Sequence, residues 1–432
     1  MADKTGSDEQ VKASFDLGGG YWKIAVFGEQ GALRIPDDEL AVFGDKTMYE
    51  PRTGKDPVVV ASVPSCVLKI TNPNLSNMFG RSVFYGRQAQ EIMEQIQVDG
   101  RIRPEDGKGG YVIRGGRVAD HELFALGFNH IVGYVQSKSV VGIFALPPEE
   151  MAELHEAKAQ SRKPNESAQL IIDLMRSNKA LALKKAISQG AGGAASEGYG
   201  IDKMCHSIYA SIGEVTTDVV GVHMSDPTYT PHSHVETLKR SVKTNDETRL
   251  VNFASAEMIN SIRYNLNHIN DVDPKTSERK YPWAMTFSLD DARRVFVDYG
   301  AVTKAHLPEC KGKYECIDDT LATREIDISD AVVDACSPMV KLMAEAIQKV
   351  GKVGQSQIAR RQMLENIILG GGGSHLRGLG EEVTKELKTR GVIAKITRLA
   401  DPVYGTAIGG LRIAKKLALT SWDQGKTEDR KD

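Results

Sequence analysis

Two glycine-rich strand ends, one near each end of the chain, constrain this sequence more than anything else in it. The first reads Phe15-Asp16-Leu17-Gly18-Gly19-Gly20-Tyr21-Trp22-Lys23 and runs on through Ile24 to Phe27. The second reads Asn366-Ile367-Ile368-Leu369-Gly370-Gly371-Gly372-Gly373-Ser374-His375-Leu376. Each is an apolar strand pattern ending in glycines, where backbone can approach a ligand closely. The first sets an acid and a lysine on either side of its glycines, which suits phosphate and a metal ion. The second leads into a helical pattern from Leu379 to Leu387, so a flat ligand group can lie on the turn beside a helix start. One nucleotide, held from both ends of the chain between two lobes, accounts for both.

The 432 residues suffice for two or more domains, each with a full core. Charged residues are 26% and hydrophobic residues 41%, the balance of a globular protein. A net charge of -2 argues against a nucleic-acid footprint. No apolar run approaches the ~20 residues of a membrane helix. The segment from Met1 to Lys12 is polar, unlike a signal peptide or an amphipathic anchor. A cytoplasmic protein is expected. Five scattered cysteines fit that setting. His306, Cys310 and Cys316 are close in sequence, but without a paired C-x-x-C spacing they read as a polar loop with reduced thiols rather than a zinc site.

Strand and helix patterns alternate, which argues an α/β architecture. Gly86–Ile96 and Asp120–Tyr134 read as helices. Ser139–Leu146 is a continuous apolar run stopped by Pro147-Pro148, the signature of a buried strand. Glu149 to Ser188 reads as mostly helical, with Ala168, Leu170, Ile171, Leu174 and Met175 on one stripe. Gln189 to Gly200 is rich in glycine and alanine, either a hinge or a close-packed helix. From Cys205 to Val222 the theme of the start returns: strand, tight turn at Gly213, then Thr216, Thr217 and a second strand, as in an internal duplication. Asp226–Asn245 is a polar insertion and Asp271–Lys280 a charged loop. Phe253–Asn267 reads as a helix, and Ser329–Val350 as one long helix.

Two phosphate hairpins, one in each half, plus a late glycine turn resemble the actin-like ATPases, a group with sugar kinases and heat-shock chaperone ATPases. Asp401-Pro402-Val403-Tyr404-Gly405-Thr406 is similar to the segment after the adenine motif in MreB-type actins. Ser255-Ala256-Glu257-Met258-Ile259-Asn260 is similar to their ribose-contacting helix. The first hairpin is closer to plasmid-partition and archaeal actins. The likeness covers roughly residues 13–418 and points to bacterial and archaeal homologues of the MreB, MamK and ParM type. It implies a duplicated, ribonuclease H-like α/β fold of two lobes with nucleotide in the interlobe cleft. The first lobe is expected over 12–200, with an inserted subdomain over about 33–120, completed by a C-terminal helix at 405–420. The second is expected over 201–404, with an inserted subdomain at about 226–328, leaving 1–11 and 421–432 as flexible tails.

The resemblance also implies roles. Asp16 would stand near Mg²⁺ and take part in catalysis. Gly18, Gly19 and Gly20 would offer N–H groups to phosphates. Lys23 either reaches a phosphate or lies beyond the turn. In the second hairpin the family's acid is replaced by Ser211, leaving Gly213, Thr216 and Thr217 to hold phosphate. Asp218 is displaced and reads as structural. Gly371, Gly372, Gly373 and Ser374 would hold adenosine, and Glu257 the ribose. After Pro147, Glu153 is the candidate for orienting water, while Glu149 and Glu150 read as first-turn acids favoured by the helix dipole. A plain hairpin, a close-packed glycine turn and a solvated glutamate are the competing readings of these segments. The implied protein binds and slowly hydrolyses ATP and assembles head to tail into filaments, with a cargo or adaptor as a further partner. A kinase, a chaperone-like ATPase or a scaffold pseudo-ATPase is the alternative.

Overall fold

The computed structural model describes residues 10–28, 33–41, 47–49, 57–137, 139–222, 235–244, 247–269, 280–281, 283–308, 312–353, 356–417 and 423–424. Half of the polar insertion at 226–245, nearly all of the 271–280 loop, Cys310 and most of both tails lie outside these residues.

The chain begins with a hairpin of β1 (Val11–Leu17) and β2 (Tyr21–Phe27), then β3 (Thr47–Tyr49) and β4 (Val58–Pro64). Short elements follow: β5 (Cys66–Ile70), α1 (Pro73–Phe79), β6 (Val83–Tyr85), α2 (Gly86–Ile96), β7 (Gln97–Val98), β8 (Arg101–Ile102), β9 (Gly107–Tyr111), β10 (Ile113–Arg114) and β11 (Arg117–Val118). Larger ones return with α3 (His121–Gly133), β12 (Val140–Leu146), α4 (Pro148–Ala159), α5 (Glu166–Ser177), β13 (Leu181–Ser188) and α6 (Gln189–Ser196). Then come β14 (Ser207–Ile212), β15 (Thr217–Val222), β16 (Val235–Thr237), β17 (Lys239–Thr244), β18 (Glu247–Asn252), α7 (Ser255–Asn267) and α8 (Leu289–Tyr299). The rest is β19 (Lys313–Ile317), β20 (Thr323–Asp327), α9 (Ser329–Cys336), α10 (Pro338–Lys352), α11 (Gln357–Glu365), β21 (Ile367–Gly370), α12 (Leu379–Thr389), β22 (Ile396–Arg398), α13 (Gly405–Lys416) and β23 (Asp423–Gln424).

These elements form two compact units, one drawn from residues 1–209, 220–235 and 399–432, the other from 210–219 and 236–398. The first is built on a seven-stranded sheet in the order β23-β13-β12-β1-β2-β4-β3. β1 runs parallel to β12, and β12 parallel to β13, so all three end on the same edge. The two-residue period of β1 sorts its side chains between two faces. Ala13, Phe15 and Leu17 enter a core with Phe124, Phe128 and Phe144, where the Phe15 and Phe144 rings stack at 4.9 Å. On the other face, α13 and its N-cap residue bury Tyr404, Ala407, Ile408 and Leu411 against Ala25, Val58 and Val60.

The segment from Leu181 to Ser188 is a strand, not part of the expected helical stretch. Its Leu, Ala and Lys are good helix formers, but pairing along β12 overrides propensity. The glycine-alanine segment is the close-packed helix of the two alternatives. Ser188 caps α6 by accepting from the Ala191 N–H at 3.0 Å. A Cβ on Gly192 would stand 2.8 Å from the Thr406 carbonyl oxygen, and one on Gly409 would collide with the Gly192 carbonyl. α6 and α13 therefore touch backbone to backbone.

The second unit carries a five-stranded sheet in the order β16-β15-β14-β21-β22. The single helix expected over 329–350 is two, α9 and α10, because Pro338 interrupts it after Ser337. Two antiparallel ribbons, β17–β18 and β19–β20, stand apart from this sheet. Within the expected C-terminal tail, Asp423 and Gln424 pair with Lys184 and Leu183 on β13.

Candidate functional site

The β1–β2 hairpin forms as the sequence indicates, with Asp16 directly across from Lys23. Asp16 is buried at the end of β1, on the face opposite Phe15. Lys23 Nζ lies 3.2 Å from Asp16 Oδ2. Gln189 Nε2 donates to Asp16 Oδ1 at 2.6 Å. Lys23, on β2, folds its side chain back toward the turn. It sits beside the glycines, with Nζ 3.3 Å from the position a Gly18 Cβ would take. The Ser65 hydroxyl donates to the Gly19 carbonyl and the Ser65 N–H to the Gly20 carbonyl. Because the trans peptide sets C=O and N–H on opposite sides, the N–H groups of Gly20 and Tyr21 point away from Ser65. The result is a fixed turn with an acid, an ammonium and an amide at its base.

Glu153, the residue expected to orient water, is held in an ion pair. Both its oxygens are engaged between α4 and α5: Arg162 grips them at 2.6 and 3.0 Å, and the Asn165 N–H donates at 2.8 Å. The Arg162 guanidinium holds this carboxyl below the usual carboxylate range, which weakens it as a base. Glu149 pairs with Arg117 at 3.0 Å. Glu150 is buried, accepts from the Ser167 hydroxyl, and has its carboxyl pushed up by burial. The residue beside Asp16 is Gln189, which the sequence reading passed over. Its signal was present: a second parallel strand ending in Ser188, an N-cap residue, at the edge where β1 ends.

In the second unit, Gly213, Glu257 and Gly371 to Ser374 share one neighbourhood. The first N–H groups of α7, from Ser255 and Ala256, donate to the Gly213 and Glu214 carbonyls at 3.1 and 2.9 Å. Glu257 is half-buried in that first turn. Gly371 adopts φ 77°, and a Cβ there would collide with Ile212. A Cβ on Gly373 would stand 2.6 Å from Ser255 Oγ. Ser374 Oγ donates to the Gly371 carbonyl at 2.8 Å. These three residues have packing reasons within the protein. Gly372 differs: a Cβ there would meet nothing within 4 Å among the described residues, and its φ is not positive.

The phosphate roles expected of the second hairpin meet an obstacle. The Gly213 N–H donates to the Thr216 carbonyl at 2.9 Å. The Thr216 hydroxyl donates to Asp218 at 2.9 Å, and Thr237 donates to the same carboxylate at 2.6 Å. Thr217 is fully buried, and its hydroxyl has no hydrogen-bond partner among the described residues. The polar groups of Gly213 and Thr216 are engaged within the hairpin, that of Thr217 is buried, and Asp218 is bound by Thr216 and Thr237. Ser211 is half-buried at the end of β14.

Among the described residues no group of three His, Cys, Asp or Glu side chains could hold a metal ion. A divalent cation at Asp16 would take most of its ligands from phosphate and water, as Mg²⁺ does. His306 contacts Thr303 and Glu381, and Cys316 lies on β19 rather than in a loop. No described helix is long and apolar enough to cross a membrane.

No protein-family model matches the chain. It is 28% identical over 227 residues to the actin-like protein MamK of Paramagnetospirillum magneticum, covering 52% of this chain and 56% of that protein. The match to MamK of Magnetospirillum gryphiswaldense is also 28% over 227 residues, covering 52% and 54%. The chain thus spans about half the length of these relatives. Among solved structures, a MamK double helical filament matches with a TM-score of 0.61 at 16% identity, covering 95% of this chain and 100% of that one. A non-polymerising MamK mutant bound to AMPPNP matches with a TM-score of 0.56 at 15% identity, covering 95% and 100%. At this level of identity the likeness shows the fold.

Proposed function

We propose that this chain, which has the actin-like fold, is a cytoskeletal protein that binds ATP with Mg²⁺, hydrolyses it slowly and assembles into cytoplasmic filaments. The observation that carries the reading is the corner made by Asp16, Lys23 and Gln189 around the Gly18–Gly20 turn. It offers what a polyphosphate with its cation requires: a carboxylate, an ammonium group and backbone N–H donors held in place in advance. Mg²⁺ would supply neutralisation of phosphate charge. Asp16 would hold its water shell, and Lys23 would fix Asp16 and reach the phosphates.

Hydrolysis needs an oriented water more than a strong base. The Gln189 amide can both donate to and accept from a water molecule but cannot remove its proton. We therefore assign Gln189 the positioning role, with slow turnover as the consequence. Adenosine would take the Gly371–Ser374 turn, with its base over Gly372, and Glu257 would meet the ribose. Open space at Gly372 supports this, because no group among the described residues requires a glycine there. Contacts that repeat head to tail without closing make filaments, and nucleotide state would bias them. Copies of the chain are the main partner; a cargo or adaptor protein would use the filament.

A scaffold that binds nucleotide without turnover is the second reading, favoured by Ser211 and by the inward-turned second hairpin. Gly372→Val tests the adenosine assignment. It should abolish ATP binding by calorimetry while thermal stability holds. Unchanged affinity in the folded variant would remove that assignment. Pelleting of the wild type with ATP above a critical concentration tests the filament reading.

A further inference from the structure

The β19–β20 ribbon ends in a tip that the fold braces heavily. The Asp318 carboxylate is buried and takes the Thr320 N–H at 2.8 Å, the Thr320 hydroxyl at 2.6 Å, the Ala322 N–H at 3.0 Å and Arg324 Nε at 2.8 Å. Arg324 in turn lies over the Trp283 ring at 4.8 Å. This bracing holds Leu321 at φ 65°, a conformation leucine adopts only at a cost. Leu321 is 86% exposed, and Ile317, at the end of β19, is 65% exposed. A strained, rigid, water-facing leucine contributes nothing to the core, so the fold maintains it against its own stability.

The flank of this ribbon is acidic. Over residues 313–327 two cations stand against five carboxylates. Glu315 faces Glu325 directly across the ladder, a like-charge pairing that weakens a ribbon. Lys313 pairs with Glu325 at 2.6 Å, and no cation pairs with Glu315 among the described residues. The β17–β18 ribbon has the opposite character. Its two strands carry Lys239, Arg240, Lys243 and Arg249 against Glu247 alone. Lys239 and Arg249 are exposed, and Leu250 is 69% exposed among them. Each ribbon thus offers an apolar point in a charged surround, and the charges are of opposite sign.

We propose that the β19–β20 tip of one copy docks on the β17–β18 ribbon of a second copy, with Leu321 and Ile317 against Leu250 and the acidic flank against Lys239 and Arg249. The contact joins two different surfaces, so it repeats without closing and generates an open filament. It rests on the filament reading above.

Leu321→Asp and Leu250→Asp each remove one half of the contact. Alone, each variant should keep nucleotide binding and raise the critical concentration roughly tenfold or more, as loss of a buried anchor does. Mixed, the two should form a one-to-one heterodimer in sedimentation velocity and nothing longer, because only one intact tip can meet one intact ribbon. Leu321→Gly controls for folding: glycine accepts the backbone conformation, so the melting temperature should hold or rise while assembly weakens. Wild-type filaments indifferent to both Asp substitutions, or a mixture that stays monomeric, would overturn the docking assignment alone. A wild type that stays monomeric with ATP and Mg²⁺ would instead sink the filament reading, and this contact with it.

Discussion

The two glycine hairpins share a turn and differ in what they do with their polar atoms. In β1–β2 the acid, the lysine and the neighbouring amide converge on the turn, and Ser65 pins its carbonyls from behind. In β14–β15 the turn closes on itself: Gly213 donates to Thr216, Thr216 to Asp218, and Thr217 faces the core. The second turn also anchors the start of α7. A repeated backbone therefore does not repeat the chemistry. One hairpin gathers charged and polar side chains at its turn; the other supports the element beside it.

The largest effect should come from Asp16→Ala. Phosphate release should fall roughly 100-fold or more, since a preorganised charge at the reacting phosphates is lost. Mg²⁺-dependent nucleotide affinity, read by calorimetry, should weaken as well. Turnover within twofold of wild type would break the asymmetry between the hairpins.

Gln189→Ala comes next. It should lower turnover roughly tenfold or more while nucleotide affinity stays nearly constant, the pattern of a lost positioning group. Glu153→Gln is the matched control and should leave turnover alone while lowering stability. The Glu153 carboxyl is held below its ordinary pKa, so its stabilising contribution is present above the unfolded carboxylate range and fades as pH falls through the folded value. Denaturation of wild type and Glu153→Gln at pH 7 and pH 3 should show that gap narrowing. Loss of turnover in Glu153→Gln with none in Gln189→Ala would reverse the assignment.

The smallest effects belong to the second hairpin. Ser211→Ala should change turnover by less than about twofold, whereas Ser211→Asp could add a carboxylate for the cation's waters. Thr217→Val should stabilise the protein by about 1 kcal/mol by removing an unpaired buried hydroxyl. A marked drop in ATP affinity in Thr217→Val would show that this hydroxyl reaches phosphate after all.

Much of the fold was legible because its signals are local. The apolar run at 139–146, the helix of residues 86–96 and both hairpin turns follow from spacing and turn chemistry alone. What escaped depends on partners distant in sequence. Leu181–Ser188 carries helix formers and becomes a strand only because β12 lies beside it. Gln189 escaped for the same reason: its meaning comes from the parallel edge shared with Asp16, not from its neighbours in sequence. Glu153 fitted a spacing after Pro147, and spacing says nothing about Arg162, which binds it. Pro338 was visible in the sequence and should have divided the long helix without any structure. The inward turn of Thr217 follows from strand register, which sequence fixes only when one face is clearly apolar.

The meeting of α6 and α13 has a consequence for Gln189. Where helices meet through side chains, a rotamer change can absorb a displacement. Here glycine meets main chain, so the joint has no play. Gln189 is mounted on the first turn of α6, and its aim is set by a helix more than two hundred residues further along the chain. Sequence drift can reshape the surface around this amide, but neither Gly192 nor Gly409 can gain a side chain without moving main chain, because each Cβ would meet a backbone carbonyl, and a substitution in α13 would be felt first as a loss of alignment at Asp16.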